Sequence, residues 1–158
     1  MGVRAPDPAA ALARLKGTIR ELVSLLATAS PQRLARSTSP GEWPPATVVA
    51  HLADAELVHS VRLRMVVTGD RPYLAPFDQD AWVQRLAELE PDAKESLARF
   101  RTLREANLRL LDSLAADEWS LTGLHAERGE QSVAQLATGM ADHDRAHIDQ
   151  IRAGLAED

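Results

Sequence analysis

The sequence predicts an all-α protein, a four-helix bundle with long crossover loops. Three observations favour this fold. Apolar residues recur at steps of three and four along four long segments. These segments are rich in Ala, Leu, Arg and Glu, which favour helices. No segment alternates between apolar and polar residues for long enough to predict a strand. We therefore expect a single domain over residues 1–158, with no linker dividing it.

Capping and helix-stopping residues bound the four long helices. We expect the helices to span about residues 7–29, 44 or 45–68, 92–115 and 133–155. Asp7, Asp92 and Ser132 are the predicted N-cap residues of three of these helices. A shorter helix is expected over residues 79–89, and the Ser-, Pro- and Gly-rich segment 30–43 is expected to be a loop. The segment 117–131 is expected to be a second long loop.

Composition limits the classes of function. The formal net charge of −5 argues against a sequence-independent grip on nucleic acid, which needs clustered positive charge. The chain has no apolar run long enough to span a membrane and no apparent signal peptide, so we expect a cytoplasmic protein without a membrane partner. Because the sequence has no cysteine, it has no thiolate nucleophile, and a bound metal would be held by nitrogen and oxygen.

Two of the five histidines lie four residues apart in the last predicted helix, in the stretch MADHDRAHIDQIR at 140–152. The apolar stripe of this helix passes through Met140 and Ile151. His143 and His147 take the positions between them on the stripe, where leucine would be expected. The spacing therefore predicts two histidines on one inward face.

A third histidine also faces inward, because Val48 precedes His51 by about one turn and Ala55 follows it by about one turn. A buried imidazole costs free energy unless both ring nitrogens find partners. One divalent ion held by the three imidazoles is one solution, and bundle cores commonly hold such sites. We therefore predict that His51, His143 and His147 bind a metal, for which zinc, nickel and iron are all suitable. The alternative is a core in which the histidines only form hydrogen bonds.

Further polar residues are candidates for roles at this site. Glu56 and Asp144 are the acids nearest to the histidines in sequence, and either is a candidate general base or acceptor for an imidazole N–H. Their alternative place is a solvated helix face. His125, in the loop LHAERGEQS, is a candidate substrate contact or proton carrier, or else a surface histidine. Arg62 interrupts an apolar stripe, where it would bind an anionic group or form a buried salt bridge, or else extend to solvent at the end of the bundle. His59 is a weaker candidate for a fourth ligand.

The segments EWPPATVVAHLADAELVHSVRLR and HAERGEQSVAQLATGMADHDRAHIDQI together resemble the DinB-like family of four-helix bundles. The resemblance extends from about Trp43 to Ile151 and includes the intervening PYLAPFDQDAWV. In that family, one histidine early in the second helix and an H-x-x-x-H pair in the last helix bind a divalent metal. These motifs fall on His51, His143 and His147. Many relatives carry a further histidine where this chain has Gly139.

The resemblance implies a metal-dependent enzyme with an open coordination position, frequently a homodimer. Members of the family include thiol-dependent transferases and isomerases, so it also implies a low-molecular-weight thiol as co-substrate. Hydrolysis of a small-molecule substrate by water activated at the ion is the other expected reaction. The alternative function is a noncatalytic dimeric bundle that binds a metal or a small ligand.

Overall fold

The computed structural model describes residues 6–37, 39–89 and 92–156. Its four long helices form a four-helix bundle, so the predicted fold is confirmed. They are α1 (Pro8–Ala27), α3 (Pro45–Thr68), α5 (Ala93–Asp112) and α6 (Val133–Ala156). Two shorter helices, α2 (Pro31–Ala35) and α4 (Gln79–Leu86), lie in the connections. The two ends of the predicted domain, 1–5 and 157–158, lie outside the described residues.

Side-chain caps fix where the helices begin. The Asp7 carboxylate accepts a hydrogen bond from the Ala10 N–H at 3.2 Å. Asp92 caps α5 in the same way. At the start of α6, the Gln135 N–H donates to Ser132 Oγ at 3.1 Å, and the Ser132 N–H donates to Gln135 Oε1 at 2.8 Å. This reciprocal pair is a capping box. The three predicted N-cap residues are therefore confirmed.

The bundle places α3 beside α6. Both α3 and α1 pack against α5 and α6, so α1 and α3 lie on a diagonal of the bundle. Because α1 and α3 are consecutive long helices and lie diagonally, the connection between them crosses the end of the bundle. Pro45 at the start of α3 lies against Gly154 near the end of α6, where an added Cβ would be 3.2 Å from the proline ring. The two helices are therefore antiparallel, and residues near the start of α3 face residues near the end of α6.

Two aliphatic clusters form most of the core, and polar side chains separate them. The first cluster, near the start of α6, includes Leu15, Leu63, Leu111 and Met140. The second, near the start of α3, includes Leu22, Leu52, Phe100 and Ile151. Between these clusters, all four long helices contribute buried polar residues, which we call the polar layer. Its members are Thr18, Glu56, Ser60, Arg104, Asn107 and Asp144.

The prediction that the chain contains no strand is wrong. Three short strands form one sheet: β1 (Tyr73–Leu74), β2 (Thr122–His125) and β3 (Gly129–Ser132). β1 is parallel to β2, and β2 is antiparallel to β3, with His125 opposite Gly129. Strands this short do not produce a recognisable alternation in the sequence. Gly129 adopts φ of +70° at the end of a three-residue hairpin loop, a conformation that glycine adopts without strain.

The sheet packs tightly against the end of α3. An added Cβ at Gly123 would lie 2.9 Å from the side chain of Val66 and 3.1 Å from that of Leu74, so only glycine fits in this part of β2. This close approach fixes the position of His125, two residues further along the same strand. The segment that the sequence predicts to be the second long loop therefore forms part of a sheet, and this sheet packs against α3.

Part of the segment predicted as the first loop is helical. Ser30 caps α2, because its hydroxyl oxygen accepts a hydrogen bond from the Arg33 N–H at 3.3 Å. Leu34 anchors this short helix by inserting into a small apolar cluster with Ala46 and Ala93. In the described part of the chain, no helix combines the length and hydropathy that crossing a bilayer requires.

Candidate metal centre

The structure brings His51 of α3 together with His143 and His147 of α6. Their candidate ligand nitrogens, one from each ring, all lie within 4.8 Å of one another. The Nε2 atoms of His51 and His143 are 3.0 Å apart. The centroid of the His147 ring lies 4.6 Å from that of His51 and 4.5 Å from that of His143. The inward register read from the two helices therefore does produce a cluster of three imidazoles.

The surroundings lower the pKa of all three imidazoles, which favours their neutral form. Burial, and then the nearby His147 and His143 rings, lower the pKa of His51 to about 3. Burial, and then His147, lower the pKa of His143 to about 4. Burial also lowers the pKa of His147. A neutral ring keeps the nitrogen lone pair that a metal ion needs, so these rings need not lose a proton to bind one at pH 7.

Gln150 fixes the tautomer of His147. The side-chain oxygen of Gln150 lies 2.8 Å from His147 Nδ1. Because a carbonyl oxygen only accepts, Nδ1 carries the ring hydrogen and Nε2 keeps its lone pair. Sequence reasoning missed Gln150. Gln150 could have been found from its position three residues after His147, because this spacing places both side chains on one helix face.

The donor set fits a divalent cation. A hydrogen bond between the Nε2 atoms of His51 and His143 would satisfy one donor and one acceptor but would leave out His147. A single cation engages all three rings. Within the described residues, His51 Nδ1 is buried and has no hydrogen-bond partner, so the ring depends on its Nε2 side for any stabilising contact. Three neutral imidazoles are a ligand set that zinc, nickel and iron accept.

We expect Gln150→Leu to weaken metal binding by about 10- to 100-fold, because His147 loses the acceptor that orients its ring. Gln150→Glu is the matched control. It keeps an acceptor oxygen at the same place and should bind at least as tightly as the unmodified protein. Competition with a chromophoric chelator at pH 7 measures both affinities. Equal affinity for the leucine variant and the unmodified protein would show that Gln150 does not support the centre.

Aromatic side chains surround the histidines. The Trp43 ring is parallel to the His147 ring, with centroids 6.2 Å apart, and also lies 5.2 Å from the His51 ring. Phe77, in the loop before α4, is parallel to His51 at 6.3 Å, and Trp82 packs edge-on against Phe77 at 4.8 Å. These rings restrict the access of water to the side of the cluster that they cover.

Arg104 is a buried residue that sequence reasoning missed. Its side chain is inaccessible to solvent at the centre of the polar layer. It donates two hydrogen bonds to the Glu56 carboxylate, from Nε at 2.9 Å and from Nη2 at 2.7 Å. It also donates to the Asp144 carboxylate from Nη1 at 2.7 Å. Thr18 Oγ1 donates to Asp144 at 2.8 Å, and Asn107 Nδ2 donates to Glu56 at 2.7 Å.

This network determines where the two candidate acids lie. Glu56 and Asp144 are buried and paired with Arg104, so the alternative of a solvated helix face is wrong for both. Burial lowers the pKa of Arg104, but the hydrogen bonds that Arg104 donates to Glu56 and the charge of Asp144 more than offset this and raise its pKa overall. Asp144 directly follows His143 in α6. The network therefore links the two helices that carry the histidines at a position next to His143.

The remaining candidates meet in a cavity beside the cluster. This cavity has a volume of about 340 Å³, and His59, Arg62, His125 and His143 are among the residues that line it. His125 is buried, so the surface alternative considered for it is wrong. His59 is not one of the three residues whose nitrogens converge in the described chain, and its ring centroid is 6.4 Å from that of His143.

The fold and the three-histidine centre define a class of helical-bundle proteins with a candidate metal site. The chain belongs to the DinB superfamily, whose sequence profile matches residues 14–151. A Bacillus cereus protein named as a candidate metal-dependent hydrolase is 31% identical over 123 residues, which are 73% of this chain and 68% of the relative. An Oceanobacillus iheyensis protein with the same description is 26% identical over 129 residues, or 79% of this chain and 72% of the relative.

Solved structures share the fold. YfiT from Bacillus subtilis, described as a candidate metal-dependent hydrolase with an unusual four-helix bundle topology, superposes with a TM-score of 0.80 at 20% identity. The match covers 99% of this chain and 92% of YfiT. The four-helix bundle protein TT2238 superposes with a TM-score of 0.65 at 24% identity, covering 93% of this chain and 99% of that protein. The four-helix bundle described above is therefore a fold already seen in other proteins.

Proposed function

We propose that this protein is a metal-dependent hydrolase that acts on a small-molecule substrate. The observation that carries the proposal is the convergence of three neutral imidazoles within 4.8 Å, next to a cavity that His143 also lines. The names given to the relatives from Bacillus cereus and Oceanobacillus iheyensis support the same reaction class.

The roles of the residues follow from their positions. His51, His143 and His147 would hold zinc, nickel or iron, and three protein ligands leave at least one coordination position for water or substrate. When bound, the ion supplies Lewis-acid chemistry, which lowers the pKa of water and polarises an acyl or phosphoryl oxygen. Gln150 orients the His147 ring. Arg104 of the polar layer links α3 to α6, because it donates hydrogen bonds to Glu56 and Asp144.

Two other functions are compatible with the same ligands. In thiol-dependent transfer, the nucleophile would come from a low-molecular-weight co-substrate, since the chain has no cysteine of its own. In a noncatalytic bundle, the ion or a small ligand would be bound without turnover. We also propose a homodimer, as the family resemblance implies.

An activity panel tests the proposal directly. Protein stripped with a chelator and reloaded separately with zinc, nickel, iron or manganese is assayed with p-nitrophenyl acetate and bis-p-nitrophenyl phosphate. In parallel, it is assayed for transfer of a small thiol to monochlorobimane. We expect hydrolysis of at least one ester with at least one metal, and no requirement for thiol. The rate should fall to that of buffer after chelation and return when metal is added back.

The control is the double variant His143→Ala, His147→Ala, taken through the same reloading. It should show no metal-stimulated hydrolysis, because two of the three ligands are missing. Turnover that requires the thiol would overturn hydrolysis in favour of group transfer. A metal-loaded protein that turns over none of these substrates, even though it holds an ion, would favour the noncatalytic binder.

A further inference from the structure

The cavity beside the histidines has a positive lining. Arg62 of α3 and Arg128 of the β2–β3 hairpin loop both line it, as do His125 and His143. The chain as a whole has a net charge of −5, so two arginines at one cavity run against the overall charge. Glu127, next to Arg128 in the loop, is the one acidic side chain among the lining residues.

Among the described residues, neither arginine has a carboxylate within ion-pair distance. Arg62 is buried, and its Nη2 donates to the backbone oxygen of Ala75 at 2.6 Å. In the described part of the chain, no ion pair within 4.0 Å involves Arg62 or Arg128. Burial, and then the charge of Arg128, lower the pKa of Arg62, while Glu127 opposes the shift. Arg104, by contrast, forms ion pairs with two buried carboxylates, so among the described ion pairs Arg62 lacks the direct partners that Arg104 has.

His125 adds a hydrogen-bond donor to the same wall. Its Nδ1 accepts a hydrogen bond from the backbone N–H of Glu127 at 3.2 Å. The neutral ring therefore carries its hydrogen on Nε2. Within the described residues, this Nε2–H has no hydrogen-bond partner. A neutral donor beside two guanidinium groups is suited to an oxygen of a bound anion.

Gly139 of α6 makes room in the cavity. It is one of the lining residues, and a Cβ added there would meet no atom within 4 Å. A larger side chain at this position would fill the cavity and would not displace neighbouring protein atoms. Glycine inside a helix costs about 1 kcal/mol relative to alanine, so most replacements also favour the helix.

We propose that this cavity binds a carboxylate or phosphate group of the substrate, with Arg62 and Arg128 as charge partners and His125 as a hydrogen-bond donor. Guanidinium groups match the planar, paired oxygens of these anions. The proposal deepens the proposed function, because it places an anionic group of the substrate beside the metal centre at His143. Binding of the anion itself does not require the metal, so the two proposals can fail separately.

Isothermal titration calorimetry with two probes, inorganic phosphate and glutarate, tests this site. The full chain is titrated after chelator treatment and again after zinc loading. We expect saturable binding of at least one probe to the metal-free protein, and Arg128→Gln should weaken it at least about tenfold. Gly139→Leu should abolish binding by filling the cavity. The control, Arg101→Gln, removes an equal charge from the exposed face of α5 and should bind as the unmodified protein does.

The outcomes separate the two proposals. Arg128 lies on an exposed loop and Gly139 faces open space, so both variants keep the proposal testable even if Arg62→Gln fails to fold. The probe that binds more tightly identifies the anionic group. Absence of binding by both probes would overturn the site, as would binding that survives both substitutions. Anion binding by a protein that holds no metal would support this site while the proposed hydrolase failed.

Discussion

The double variant His143→Ala, His147→Ala is expected to lose its metal completely. The unmodified protein, purified without an affinity tag or chelator, should contain about one ion per chain, since the three ligand nitrogens form one compact set. With two of these ligands removed, His51 alone cannot retain an ion through purification. Elemental mass spectrometry on both proteins gives the metal-to-protein ratio and identifies the metal.

The control for this experiment is His125→Ala, which removes a histidine that lines the neighbouring cavity but lies outside the ligand set. It should keep the metal content of the unmodified protein. Circular dichroism should show that the double variant keeps its helices, because the two aliphatic clusters do not depend on the ion. No metal in the unmodified protein, even after addition of zinc, nickel or manganese, would contradict the site and leave the histidines as core residues.

Replacement of Arg104 by methionine should lower the free energy of unfolding by about 3–5 kcal/mol, because it leaves two carboxylates buried without their cation. Glu56 and Asp144 each lose charge-assisted hydrogen bonds to the guanidinium, and neither reaches solvent. Methionine fills a similar volume, so the loss reports the missing charge more than a cavity. Urea denaturation followed by circular dichroism measures the change.

Arg101→Met is the matched control on the same helix. Arg101 is exposed and pairs with Glu105 at 2.7 Å, and an exposed pair of this kind contributes less than about 1 kcal/mol. Adding Glu56→Gln and Asp144→Asn to the Arg104 variant should recover part of its loss, since the buried charges disappear. A loss no larger than that of the Arg101 control would show that the polar layer does not hold the helices together.

The local sequence was enough to predict the four long helices and the inward register of the three histidines. Steps of three and four place residues on one helix face regardless of what packs against it, so His143 and His147 were found from α6 alone. Arg104 carried a comparable signal, because it follows Phe100 by four residues on an apolar stripe. That signal did not reveal its partners, which come from α3 and α6, 48 and 40 residues away along the chain.

Glu56 and Asp144, the partners of Arg104, were also placed by contacts that the local sequence does not reveal. Nearness in sequence to His51 and His143 made them candidates for acid–base chemistry, but a third helix placed a guanidinium between them. The short strands and the cavity also depended on distant segments, because the β2–β3 hairpin has to pack on α3 before Arg128 and His125 can meet Arg62. Four-residue strands carry too few side chains to show a period of two.

By itself, the sequence determined the helices, their apolar faces and the histidines that lie on them, because these follow from the helical period and local capping. Only the tertiary structure decided that α3 packs beside α6, that Arg104 forms ion pairs with both Glu56 and Asp144, and that two arginines share a cavity with His143. Those relations depend on which helices become neighbours, and that is set by the packing of the whole chain.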